Sequence, residues 1–570
     1  MTRHDALRLD FTKHRPVPHV EMRLPATLLL ILLPLAAAAT AAGGPRASYR
    51  VATTLHTVAS PQLFNGTAAS AAALVAANLA AYDALLQTAA ADAGGPADVI
   101  VFPESGTGYL MVPDGNATTR LFCEPVPPVG WAASAWRCPP AGGPATGHQP
   151  HANWASCAAQ AFNLDVVINY CAWEQSPASG ERHYYNANLV FEATTGTFLA
   201  VYRKSHINAV PTLTQPPVPD PTTYVSKKAG NVTFGLFICY DLWFMNPTQA
   251  EIDRLGARDF LYPNGMGSLP PAMAIDQAHA GWSLARGVNL ASAGLFTDGG
   301  AGAFSRGTVV GLNPLFPQRQ AVSNVIVSTL PHLHHSPADD ATPRGTPSVE
   351  PSAAAVDLAE ASLCPNGTAV ANASVPCLGG TAACTELAGA RPGGCFRLAA
   401  AFAGPFGTVE CAAAVAVGDA APRAHRWWLA AFQFDMVPES RGTPDASEHG
   451  FCLVMHCDAP DAPGCNFGAP ANWASDLRVR AIAVRARFGG GFAARAAAGG
   501  IRLFPINSFL AAPWSPDGAA ALPLRILPPP QFRATLAAVT GAVAANGTDT
   551  AGHLFSFGVY ATAKGASRPA

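Results

Sequence analysis

The chain reads as an α/β layered domain followed by a smaller β-rich domain, and three patterns predict this division. Over residues 48–330, apolar strand-like runs alternate with segments of helical periodicity. Residues 331–394 then turn to Pro, Ala, Ser, Thr and Gly, the composition of an extended connection. Over residues 395–565 the hydrophobic pattern shifts towards period two, seen best in the alternating charged and apolar run 477–488.

Taken in order, residues 48–53 predict a first strand and residues 67–91 a long helix with Val75, Leu79, Tyr82 and Leu86 on one face. The pair Gly94 and Gly95 ends it. Further strands are predicted at 98–102, 164–170, 187–193, 197–202, 232–239, 258–262 and 289–297, with an amphipathic helix over 272–286. In the β-rich part, 427–434, 451–457, 477–488 and 554–560 are the strand candidates.

The 570 residues are 49% hydrophobic and 13% charged, which excludes a wholly disordered chain and allows a large core. A net charge of −2 without a concentrated Lys/Arg stripe argues against nucleic acid or an anionic membrane as partner; a small neutral substrate fits better. Residues 1–42 read as an N-terminal extension and signal peptide. Their apolar run, 26–39, is short and is followed by the small-residue pattern Ala39-Thr-Ala41. Asp5 and Asp10 do not suit a signal's basic leader, whereas Met22-Arg-Leu-Pro does, so Met22 is the expected start; with the preceding residues retained, the same run reads as a signal anchor. Residues 561–570 lack the hydrophobic tail of a lipid-anchor signal, so a secreted protein with no stable membrane anchor is expected.

Cysteine usage points the same way. There are 13 cysteines, so one can stay free while the rest pair in an oxidising compartment; their connectivity is left open. Asn65, Asn116, Asn231, Asn366, Asn372 and Asn546 each begin an Asn-x-Ser/Thr glycosylation acceptor. No cysteine spacing suits zinc, and His332, His334 and His335 have no Cys or carboxylate at ligand spacing, so no metal is expected. Nor is there a dinucleotide fingerprint or Walker A loop, and no cofactor is expected. Ala303-Phe-Ser305-Arg-Gly307 falls one glycine short of a nucleophile elbow and lacks its strand-to-helix setting, so Ser305 is set aside.

Three segments carry chemistry. Glu104 follows Asp98-Val-Ile-Val-Phe-Pro, Lys204 ends Thr197-Phe-Leu-Ala-Val-Tyr-Arg-Lys, and Cys239 lies in Val232-Thr-Phe-Gly-Leu-Phe-Ile-Cys-Tyr-Asp. Each lies at or just beyond the end of an apolar strand-like run. Together they supply a base, a cation and a nucleophile, the set needed to attack a poorly electrophilic amide.

In that chain order, Phe102-Pro-Glu104, Tyr202-Arg-Lys204 and Phe234-Gly-Leu-Phe-Ile-Cys239-Tyr-Asp resemble the catalytic motifs of the carbon–nitrogen hydrolases of the nitrilase superfamily. The likeness is strongest to the biotinidase and vanin (pantetheinase) branch. Leu261-Tyr-Pro-Asn-Gly-Met266 resembles the segment after that branch's cysteine. Gly450-Phe-Cys-Leu-Val-Met-His-Cys457 with Cys465, and Phe557-Gly-Val-Tyr560, resemble parts of its C-terminal base domain. The resemblance implies a nitrilase-like α-β-β-α layered sandwich and a cofactor-free hydrolase of pantetheine or biotinyl-lysine, with a monomer expected. It gives Glu104 the base, Cys239 the nucleophile, Lys204 and the backbone N–H of Tyr240 the oxyanion. Lys204 is expected to lower the thiol pKa. The second glutamate common in nitrilase relatives is missing between Lys204 and Cys239, where Asp220 is the one acid, so its role falls to Asp220 or to a residue elsewhere. His206 is a candidate pocket residue or a loop histidine satisfied by backbone. Two alternatives accompany this reading: a catalytically silent secreted binding or scaffold protein, and an acyltransferase in which an amine intercepts the thioester.

Overall fold

The computed structural model describes residues 46–333 except 59–63, 112–115, 134–137, 139–148, 208–211, 245, 269–271, 298 and 317–321. Beyond these it describes Cys364 and the segments 368–369, 375–377, 382–404, 407–419, 426–435, 447–456, 477–489, 501–510, 524–526, 532–537, 542–547 and 553–564. The signal segment with Met22, and Asn366, Asn372, His334, His335, Cys457 and Cys465, lie outside the described residues.

The first part of the chain runs β1 (Ser48–His56), α1 (Ala68–Ala90), β2 (Val99–Val101), the short α2 (Asn116–Thr119), β3 (Glu124–Pro125), α3 (Pro150–Phe162), β4 (Asp165–Gln175), β5 (Arg182–Phe191), β6 (Phe198–Arg203), β7 (Thr222–Ser226) and β8 (Val232–Leu236). There follow α4 (Thr248–Asp253), β9 (Asp259–Asn264), α5 (Ile275–Arg286), β10 (Asn289–Gly294), β11 (Gly302–Ser305), β12 (Thr308–Leu312) and β13 (Ser323–Pro331). Thr67 caps α1 by accepting from the Ser70 N–H at 3.2 Å, which fixes where the helix starts. Gly287, in left-handed conformation, ends α5.

These strands form one hydrogen-bonded path, β6-β5-β4-β2-β1-β10-β9-β8-β7, with β13 on β1 and the β11-β12 hairpin on β10. Its two halves meet at a single register pair, Leu55 with Gly294. Alternation along the strands gives each half two buried faces. Ile100, Val166, Ile168 and Leu189 pack under α1 and α3 with Leu74, Leu79 and Trp154. Their neighbours Val99, Val101, Val167 and Val190 turn the other way, into the cluster of Phe234, Leu236, Leu261 and Leu290. The order of layers is therefore helix, sheet, sheet, helix. Of the described helices α1 alone is long and apolar enough to cross a membrane, and here it covers the first half-sheet.

The β-rich part contains β14 (Thr368–Ala369), β15 (Val375–Cys377), β16 (Ala382–Glu386), β17 (Cys395–Gly404), β18 (Gly407–Val417), β19 (Trp427–Asp435), β20 (Ser447–His456), β21 (Val479–Phe488), β22 (Ile501–Leu510), β23 (Leu524–Ile526), β24 (Phe532–Ala537), β25 (Ala542–Gly547) and β26 (His553–Lys564). One sheet is ordered β14-β17-β18-β21-β25-β24, the other β15-β16-β19-β20-β26-β22-β23. Trp427, Leu429, Ala431 and Val454 face the first of these sheets, while Trp428, Ala430, Phe432, Phe451, Leu453 and Met455 join the core that holds Phe234 and Trp282. α5 packs against β22, so this helix is covered on both sides. Disulfides join Cys123 to Cys171, Cys138 to Cys157, Cys364 to Cys395, Cys377 to Cys384, and Cys411 to Cys452, the last between the two sheets.

Three sequence expectations change. The stretch 331–394 is not a plain connection: β15 and β16 form a disulfide-closed hairpin and β16 pairs along β19, although residues such as Ala382-Ala-Cys-Thr-Glu386 have the small, polar look of a linker. The strand expected over 232–239 stops at Leu236, and Cys239 opens a 3-10 turn, Cys239–Trp243. Helix α3 was hidden by its small residues and starts at Pro150, where a missing N–H costs nothing.

Candidate active site

Glu104 stands three residues past β2, where the chain leaves the sheet in a turn, and is 3% exposed. Its Oε1 accepts from Lys204 Nζ at 2.6 Å and from Asn186 Nδ2 at 2.7 Å. Those two donors are tied to each other, because the Lys204 N–H donates to the Asn186 carbonyl at 2.8 Å as β6 ends beside β5. On the carboxylate's other side is Gly265. A Cβ there would strike Oε2, so only glycine leaves the carboxylate where it is.

Cys239 is the free cysteine among the described residues, 7% exposed, with φ of 44°. A left-handed β-strand-to-turn residue with a side chain is strained, and such strain persists only where surrounding contacts impose it. Here they are identifiable. Tyr262 on β9 donates its hydroxyl to the Cys239 carbonyl at 2.6 Å. Asp241, fully buried, accepts from the Ile238 N–H at 3.0 Å, the Tyr202 hydroxyl at 2.7 Å, and the N–H and Nδ1 of His206 at 2.9 and 2.8 Å. His206 also stacks on Phe244, centroids 3.7 Å apart. Trp243, closing the turn, packs edge-on against His449 of β20 at 6.2 Å, which brings the β-rich part up to the nucleophile turn.

Within the trio Lys204 lowers the thiol pKa as expected, but it is not the largest influence on the sulfur. Burial pushes the Cys239 thiol well up, and the Glu104 carboxylate adds to this; the Lys204 ammonium and the Gly265 N–H pull it down without cancelling the rise. Lys204 therefore does not yield a resting thiolate, and the sulfur needs a base at the moment of attack. For Lys204, burial disfavours the charge, but Cys239 when it ionises, Glu104 and Asp241 outweigh it and raise the amine above its ordinary range. Such a site can move a proton from sulfur to carboxylate while a fixed cation faces the negative charge that develops.

The other candidates fall outside this cluster. Asp220 is a surface partner of Arg203 at 3.7 Å, its side chain 63% exposed, so it does not position Lys204; Asp241, beyond the cysteine, supplies the extra carboxylate near the ammonium. Ser305 lies in the β11-β12 hairpin, away from any strand-to-helix elbow. His332 binds the Ala229 carbonyl through Nε2 at 2.9 Å. Among the described residues no group of three or more His, Cys, Asp or Glu is arranged to hold a metal ion. Asn65 is exposed, and Asn231 is exposed at the β7-β8 turn with φ of 66°. Asn116 begins α2 and Asn546 lies in β25. Tyr240 follows Cys239 in the 3-10 turn. Sequence reasoning placed Asp241, Tyr262 and Gly265 inside quoted motifs without giving them roles, and missed Asn186, whose signal is the polar pair Asn186 and Asn188 inside an otherwise apolar strand.

The carbon–nitrogen hydrolase family model matches residues 57–282, the segment that carries Glu104, Lys204 and Cys239. Vanin-like protein 3 of Drosophila melanogaster is 28% identical over 239 residues, covering 40% of this chain and 41% of the relative. Biotinidase of Takifugu rubripes is 27% identical over 215 residues, 35% of this chain and 40% of its own length. Pantetheinase of Mus musculus is 28% identical over 207 residues, 35% and 38% respectively. Each match thus spans about two fifths of the relative. With the layered fold and the family match on the same segment, residues 57–282 form a carbon–nitrogen hydrolase domain, similar to the matching part of the vanins and biotinidases.

Proposed function

We propose that the protein is a secreted amidohydrolase that cleaves a linear, non-peptide carboxamide through a thioester on Cys239. Glu104 takes the thiol proton as the sulfur attacks the amide carbonyl, while Lys204 and the backbone N–H of Tyr240 face the oxyanion. Collapse of the tetrahedral intermediate breaks the C–N bond, and protonated Glu104 hands its proton to the leaving amine. The same carboxylate then takes a proton from water, hydroxide adds to the thioester, and the acid leaves as the thiol is restored. The observation that carries this reading is the convergence of Lys204 and Asn186 on one oxygen of Glu104 beside a buried, unbridged Cys239. Five disulfides among the described residues support an oxidising, extracellular compartment.

Pantetheine, giving pantothenate and cysteamine, is the first substrate to test; biotinyl-lysine, giving biotin and lysine, is the second. A domain division after residue 330, with β15 and β16 counted in the β-rich part, and a monomeric state belong to the same proposal. Wild type and Cys239→Ala are assayed with both amides side by side. The wild type is expected to release one acid, and the variant to lose more than about a thousandfold in rate. Intact mass should show an acyl adduct on Cys239. Neither turnover nor adduct with either amide would mean a silent binding protein, and an amide product in place of the free acid would mean acyl transfer.

A further inference from the structure

Three buried asparagines connect the parts of the proposed catalytic machinery. Asn169 on β4 lies opposite Asn188 of β5, and Asn186 is two residues along the same face; each is 1% exposed or less. Asn169 Oδ1 accepts from the Ser105 N–H at 2.8 Å and the Tyr109 hydroxyl at 3.1 Å. Its Nδ2 donates to Asn186 Oδ1 at 2.8 Å and to Asn188 Oδ1 at 3.0 Å. Asn186 Nδ2 goes on to Glu104 Oε1 at 2.7 Å, and Asn188 Nδ2 to the Phe237 carbonyl at 3.2 Å, two residues before Cys239.

The ends of this network fix every amide orientation. A backbone N–H at Ser105 can face only an acceptor, so Asn169 presents its oxygen there. A carboxylate and a backbone carbonyl can face only donors, so Asn186 and Asn188 present Nδ2 outward. Their oxygens are then left for Asn169 Nδ2. Turning any one amide over sets like against like at both its ends, inside a core where an unmet polar group is costly.

We propose that Asn169, Asn186 and Asn188 are positioning residues that hold the Glu104 carboxylate and the chain entering Cys239 in fixed relation. This rests on the function proposed above. With Lys204 and Asn186 both on Oε1, that oxygen's two lone pairs are used, and Oε2 is left to take the thiol proton. Asn186 thereby selects which oxygen acts as base and keeps it from rotating away.

The test measures the alkylation rate of Cys239 by iodoacetamide, by mass spectrometry, in the full chain. Wild type, Asn186→Ala, Glu104→Gln and the double variant are compared, followed by turnover of pantetheine and biotinyl-lysine. Asn186→Ala is expected to slow alkylation about tenfold or more, and to lower kcat similarly with KM within about threefold. In the Glu104→Gln background the same change should add less than about twofold, since both act through one carboxylate. Asn186→Asp, an isostere that keeps the fold if alanine does not, should be slow at pH 8 and recover towards pH 6, where one of two facing carboxyls takes a proton and donates to the other. Equal slowing by Asn186→Ala in both backgrounds, or an Asn186→Asp protein indistinguishable from wild type at pH 8, would overturn the assignment. Network-dependent alkylation without turnover of either amide would sink the substrate reading and leave the network standing.

Discussion

At the scale of single residues, the site is held by contacts with no slack. Glu104 has Lys204 and Asn186 on one oxygen and the bare backbone of Gly265 against the other. Adding one methyl at Gly265 makes a specific prediction, because the collision falls on the carboxylate rather than on the core. Gly265→Ala should lower kcat/KM by about a hundredfold or more by displacing the proposed base. Its melting temperature should stay within a few degrees of wild type, since Gly265 has a negative or extended φ and lies at a partly exposed position. A fully active Gly265→Ala protein would show that Glu104 tolerates displacement. The same crowding pushes the thiol up: the desolvated cleft and then the carboxylate oppose a thiolate, and the single ammonium does not offset them.

At the scale of elements, strands are pinned to one another by buried polar groups whose protonation matters. Asp259 opens β9 and accepts, through Oδ1, from the Tyr49 hydroxyl of β1 at 2.8 Å and from Asn289 Nδ2 of β10 at 2.6 Å. Burial pushes its carboxyl up to about 7, although those two donors and Arg258 pull it back. The folded state therefore holds a proton that the unfolded chain releases above about pH 4, so stability is present at low pH and is lost as pH rises through 7. Asp259→Asn keeps an oxygen for both donors and carries no charge. It should melt higher than wild type at pH 8, by about 1 kcal/mol or more in stability, with the gap closing towards pH 4.5. A gap of equal size at both pH values would reject the assignment. This scale also shows what the sequence reveals. Glu104, Lys204 and Cys239 are legible because each ends or follows a local apolar run that any reader can find. Asn186 and Asn169 are not, because their partners lie 82 and 64 residues away in sequence and only strand pairing brings them together. The layered order is legible from alternation in β2, β4 and β5, whereas the hairpin β15-β16 is not, since its small residues gain their meaning from β19.

At the scale of the molecule, residues Arg46–Ala570 form one compact unit, although composition suggests two domains on a tether. The reason lies in α5. Its residues Ile275–Ser283 are all buried, with β10 and β11 on one side and β22 on the other. In β19 and β20, the face carrying Trp428, Phe432, Phe451 and Met455 belongs to the same hydrophobic cluster as Phe234 and Trp282, while the opposite face carrying Trp427 and Leu429 packs inside the β-sandwich. A chain ended after residue 394 would leave the outer face of α5 in water, together with the side of Trp243 that meets His449. Each large side chain uncovered costs about 1.5–3 kcal/mol, which several such contacts multiply beyond the stability of an ordinary domain. The full chain should therefore unfold in one calorimetric transition, with loss of activity coinciding with loss of β-sheet signal. The shortened chain, 46–394, should be insoluble, or bind a hydrophobic dye and fail to alkylate at Cys239 with the wild-type rate. Two separated transitions, or a soluble shortened chain with wild-type turnover, would instead make the β-rich part an independent passenger; the contact between Trp243 and His449 argues for a buttress that keeps the strained nucleophile turn in place.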